Sequence, residues 1–194
     1  KIALAYQNLS ISDDEALMKE MIDEPTLIII VNYLDTTEIS LKSACLRIVG
    51  NFTCGSSQIT KRIVEFGVLE FLEDLIVSRK PTIRREAIWV ISNIISDGPE
   101  MIEKAIETSI FIRLLNALIV DMDTIKEEAL AAFVNALREG NLRQAKIICD
   151  LGLIKYLAQA LVSANERVVF RGLDCVQSAL KRGEEIQEEE EQKV

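Results

Sequence analysis

Apolar residues recur at three- and four-residue steps along most of the chain, the spacing of one buried stripe on an α-helix. CLRIVGN at 45–51, AIWVISN at 87–93 and ALAAFVN at 129–135 carry it most clearly. No segment alternates apolar and polar residues as a half-buried strand does. Helix breakers are scarce and act as punctuation. Pro25, Pro81 and Pro99 stand where helices can begin, and Gly55, Gly98 and Gly140 where they can end. The pattern predicts an all-α chain.

It also predicts a repeat. Asn51, Asn93 and Asn135 fall at steps of 42 residues, and Asn8 lies 43 before Asn51. Gly67, Ser109 and Gly152 form a second landmark at steps of 42 and 43. Each unit holds two short helices and a longer third, spanning about 57–66, 68–78 and 82–97 in the clearest case. A unit this small cannot bury its apolar faces alone, so neighbours stack. Three helices in about 42 residues resembles the armadillo repeat, which implies an all-α, right-handed superhelical solenoid. Residues 1–182 then form the repeat domain: a partial repeat at 1–11, followed by 12–55, 56–98, 99–140 and 141–182. Lys1 already lies within a helical pattern, so the chain is expected to be a fragment.

Charge narrows the chemistry. The chain has 22 Lys and Arg against 31 Asp and Glu, a formal net charge of -9, and no histidine. Without histidine there is no Ser-His-Asp or Cys-His catalysis and no His-containing zinc site. No Gly-rich phosphate loop compensates, so no enzyme and no cofactor are expected. An acidic surface suits neither nucleic acid nor an anionic membrane, since a phosphate backbone requires a cationic face. No apolar run approaches the roughly 18–20 residues of a membrane span. Cys45, Cys54, Cys149 and Cys175 lack metal-ligand spacing and are expected to pack as small hydrophobes. About -5 of the charge lies in residues 183–194, GEEIQEEEEQKV, a composition expected to form an acidic disordered tail.

One polar stripe resists explanation as core. In the third helix of the clearest unit, Ala87, Val90, Ile91, Ile94 and Ile95 form the apolar face. Glu86, Trp89 and Asn93, at i, i+3 and i+7, fall on another side. Burying Trp89 there would strand its polar neighbours, so the stripe is expected to line a groove. Equivalent positions carry Ala44, Arg47 and Asn51; Glu128, Ala131 and Asn135; and Arg171, Asp174 and Ser178. A row of Asn amides can hold an extended peptide by its backbone, donating to carbonyls and accepting from N–H groups. Each Asn could equally serve a hydrogen bond between repeats. A Trp face attracts a Lys or Arg cation by on the order of 0.5–2 kcal/mol, and Glu86 or Glu128 could pair with its head.

These residues carry a family resemblance. REAIWVISNI (85–94) resembles the importin-alpha armadillo signature, in which Trp and Asn stand four apart. LRIVGN (46–51) resembles the repeat of that family where Arg replaces the Trp, and the acidic tail resembles the segment after its final repeat. The likeness covers essentially the whole chain and corresponds to the C-terminal half of the adaptor. It implies that Arg47, Asn51, Glu86, Trp89, Ser92, Asn93, Glu128 and Asn135 line the minor site for basic nuclear-localisation-signal peptides. It implies a nuclear-import adaptor of cytoplasm and nucleus, working with importin-beta through a segment absent here, and with the nuclear export receptor for importin-alpha. Ala131 stands where the family often has a second Trp, so one stacking wall is missing. Asp174 and Ser178 replace Trp and Asn in the last unit, where the groove is expected to end. The other reading is an armadillo scaffold for a different protein partner.

Overall fold

The computed structural model describes residues 23–192. The expected partial repeat at 1–11, the first part of 12–55 and the landmark Asn8 lie outside the described residues. Eleven α-helices and a 3-10 turn at Tyr33–Asp35 make up the described residues: α1 Glu24–Asn32, α2 Ile39–Thr53, α3 Ser57–Glu65, α4 Val68–Leu75, α5 Pro81–Ile95, α6 Pro99–Ile106, α7 Ile110–Val120, α8 Asp123–Glu139, α9 Leu142–Asp150, α10 Leu153–Ala160 and α11 Glu166–Glu191. No strand occurs among them. In the clearest repeat each helix lies within three residues of its predicted bounds.

Local chemistry sets many of the boundaries. Asp23 caps α1, its Oδ1 accepting from Thr26 N at 2.9 Å, and Asn165 caps α11 by accepting from Arg167 N. Pro81 and Pro99 open α5 and α6, where a missing N–H has no consequence. Gly67 and Gly152 sit between the first two helices of their repeats with φ of 78° and 98°. That left-handed geometry lets the chain reverse within one residue and favours glycine.

The described residues form two compact units, one ending at Ile94 and the other beginning at Ile95. In the first, Leu27, Leu46, Ile48, Phe52, Ile63, Leu72, Ile83, Ile88 and Ile91 are almost wholly buried. In the second, Phe111 and Phe133 meet at a tilt of 42° with ring centroids 5.9 Å apart, and Leu114, Leu130, Ile148, Leu157 and Cys175 are buried. Burying each such side chain is worth about 1.5–3 kcal/mol.

The expected disordered tail is helical instead: α11 runs unbroken for 26 residues, to Glu191. The buried segment around Gly172, Cys175 and Ala179 already provides the nucleus, and propagation from it costs far less than initiation. Glu is a good helix former. The extension is also tied down: Glu185 receives Arg182 Nη1 at 2.7 Å, and Gln187 Nε2 donates to Glu191 Oε1 at 2.8 Å. A charge count sees only like-charge repulsion and misses these ties.

A polar knot joins α6 to α9. Asn141 and Gln144 form a capping box, and the buried Gln144 side chain donates to Pro99 O and Glu103 Oε2, each at 2.8 Å. Arg143 also donates to Glu103. These hydrogen bonds, Gln144 first and then Arg143, hold the Glu103 carboxyl below its ordinary range. The carboxyl therefore binds its proton less readily when folded than when unfolded. Its contribution is full at neutral pH and fades as pH falls through the depressed value. Urea midpoints of wild type and Glu103→Gln should differ at neutral pH and converge as pH falls below the ordinary carboxylate range; parallel curves would show that the contact does not couple to pH.

Candidate functional site

With 100° between successive residues, most of α5 is committed to the interior. Ile83, Ala87, Ile88, Val90, Ile91, Ile94 and Ile95 show no exposure. The remaining arc carries exposed Thr82, Arg85 and Ser96 with half-buried Trp89 and Asn93. It is narrow, and Trp89 lies at its centre.

The indole rests on Gly50 of α2. A methyl group placed on Gly50 would fall 2.1 Å from Trp89 Cζ3, so only bare backbone leaves room for the ring. Asn93 Nδ2 donates to Gly50 O at 3.1 Å, and Thr53 Oγ1 donates to the same oxygen at 2.9 Å. The Cys54 N–H turns instead to Asn51 O, so these side chains satisfy a carbonyl at the frayed end of α2. The tie between repeats is thus realised at Asn93. Asn51 is half-buried on the last turn of α2.

Glu86 departs from expectation. Its carboxylate is buried, with Oε1 accepting from Arg47 Nε at 2.8 Å and Oε2 from Ser43 Oγ at 2.5 Å. It lies one turn before Trp89, but the packing of α5 on α2 directs it into an intrachain ion pair rather than an open groove. Ser92, also expected to line the groove, is buried. Sequence reasoning missed three neighbours, namely Ser43, Gly50 and Arg85. Only Arg85 left a signal, since it shares the open arc of α5.

In the second unit, Glu128, Ala131 and Asn135 are half-buried along α8. Glu127 stands 42 residues after Arg85, so this stripe is acidic at the register position where that of α5 is basic. On α11, Asp174 takes the register position of Trp89. It is held by Arg138, and the buried Ser178 donates through Oγ to Asp174 O at 2.9 Å. The polar groups of this last stripe are satisfied within the chain.

Burial pushes the Cys45 and Cys175 thiols up to about 11 and about 12, as desolvation disfavours a thiolate. Cys54 departs from the expected packing and is exposed, because the chain turns there to leave α2. No cluster of three or more His, Cys, Asp or Glu side chains suited to a metal occurs among the described residues. None of their helices is long and apolar enough to cross a membrane.

Residues 56–96, which hold α3, α4 and α5, match the Armadillo/beta-catenin-like repeat. No curated protein matches the chain. Among solved structures, a designed armadillo repeat protein in complex with the peptide (KR)4 superposes with a TM-score of 0.84 at 21% identity, over 93% of this chain and 80% of that one. The fold is the armadillo-repeat fold. A second designed armadillo repeat protein gives 0.83 at 21% identity, over 91% of this chain and 74% of its own. Computationally designed armadillo repeat proteins for modular peptide recognition give 0.81 at 22%, over 91% and 75%. In armadillo terms, α2, α5, α8 and α11 are third helices, and every polar stripe read from the sequence lies on one of them.

Proposed function

We propose that this chain is an armadillo scaffold whose third-helix stripes receive an extended cationic peptide, as a nuclear-import adaptor would receive a nuclear localisation signal. The observation that carries the proposal is Trp89, a large aromatic held half-open at the centre of the most exposed arc of α5 by a glycine that leaves its ring just enough room. A ring fixed in this way offers a preorganised face for the alkyl stem and charge of Lys or Arg. The net charge of -9 favours the encounter with a basic chain. A designed protein of the same fold is in complex with (KR)4. On this proposal the partners are basic nuclear-localisation-signal peptides, importin-beta and an export receptor, and the protein divides its time between cytoplasm and nucleus.

The second reading, a scaffold for another kind of partner, is favoured by the intrachain engagement of Glu86 and Asn93. The two separate in one experiment. Trp89 is the sole tryptophan, so its emission should shift on titration with a Lys- and Arg-rich peptide, and the shift should weaken with added salt. Calorimetry on Trp89→Ala should show the binding lost. Unchanged emission together with no calorimetric heat up to high micromolar peptide would defeat the proposal in favour of the second reading.

A further inference from the structure

We infer that Arg47 is a specificity-determining residue: it occupies, from within the chain, the seat that a ligand cation would take on Glu86, and a basic peptide binds there by displacing it. The inference rests on the peptide-binding reading above. Its foundation is the set of contacts that Glu86 makes within the chain. Both carboxylate oxygens are already bonded, one to Arg47 Nε and one to Ser43 Oγ. The pair is asymmetric. The Glu86 side chain is 8% exposed, whereas that of Arg47 is 51% exposed.

That asymmetry sets the exchange chemistry. A buried carboxylate left without a cation is costly, so Glu86 requires a positive partner at all times. Arg47, half in solvent, can be released into water at little cost of its own, provided another cation takes its place on Glu86. Arg47 also lies one helical turn before Gly50, the residue on which the Trp89 ring rests. The internal guanidinium and the aromatic face therefore occupy adjacent turns of the same surface. A peptide Lys or Arg reaching Trp89 meets Arg47 first as a like charge, and can then replace it on Glu86. A neutral side chain gives Glu86 nothing in exchange and leaves Arg47 in place. Discrimination thus comes from a repulsive group as well as an attractive one. It raises the threshold for binding without closing the site.

The test is calorimetric titration of a peptide of alternating Lys and Arg into wild type, Arg47→Met, Glu86→Gln and the double variant. Met keeps the alkyl stem and removes the charge, and Arg47→Gln is a second uncharged variant should the first lose helicity. Because Arg47→Met leaves the buried Glu86 carboxylate without a cation until the peptide supplies one, it should tighten binding by at least about tenfold and steepen its salt dependence. In the Glu86→Gln background the same change should bring no gain. Wild-type binding with Arg47→Met equal to it or weaker overturns the competition and leaves the peptide reading standing. No binding by either protein overturns both.

Discussion

Arg182→Ala is expected to lower the stability of the C-terminal unit by about 2–4 kcal/mol, the cost of stripping a charged multidentate hydrogen-bond donor from backbone acceptors. Arg182 reaches from α11 to the end of α8. Its Nε donates to Leu137 O at 2.6 Å, and its Nη2 donates to Arg138 O at 2.6 Å and Gly140 O at 3.0 Å. The carbonyls of a helix's last turn have no partners in their own helix, and they form the negative end of its dipole. One planar guanidinium satisfies three carbonyls in this region while pairing with Glu185. Lysine offers a point charge without the fork geometry, so Arg182→Lys should recover only part of the loss. Urea unfolding measures it: the midpoint falls while the slope holds. A midpoint unchanged by Arg182→Ala would mean that this cap contributes nothing.

Gly50→Ala should displace the indole of Trp89. The added methyl would lie within 2.8 Å of three ring carbons, and overpacking of this kind costs about 1–3 kcal/mol. The ring is half-buried, so it can swing outward rather than unfold the unit, and its emission should then move to longer wavelength as water reaches it. The Asn93 bond to Gly50 O should weaken with it, and peptide affinity should fall. Gly183 on α11 is the matched control. Nothing lies within 4 Å of a methyl there, so Gly183→Ala should stabilise by a few tenths to about 1 kcal/mol through helix propensity alone. Identical emission from Gly50→Ala and wild type would show that the indole does not depend on bare backbone.

Both expected effects belong to contacts spanning 39 to 45 residues. This separation explains what a linear reading can find. The position of Glu86 on the polar side of α5 is legible from its spacing to Trp89 and Asn93. Its occupation by Arg47 and Ser43 is not, because that depends on how closely α2 and α5 pack. The role of Gly50 is similarly hidden. Within its own helix a mid-helix glycine reads only as a weak point, and its purpose emerges when an aromatic ring from the next repeat needs the space. The helical acidic end of α11 is hidden from a linear reading for a related reason. Local charge argues against order there, and the arginine that anchors the preceding turn acts on a helix more than 40 residues away.

The amino-acid sequence by itself determined the helices, their grouping in threes, the faces they bury and the positions left over for Trp89 and the asparagines. All of these follow from periodicity, punctuation and side-chain type acting over a few turns. Tertiary structure alone decided which of those polar groups remain open to a ligand. A carboxylate or an amide on a helix surface is defined chemically by its residue, but it is committed to a partner only when a second helix brings that partner within 3 Å or so. For Glu86 and Asn93, stacking brought one, and for the face of Trp89 it brought a supporting glycine instead.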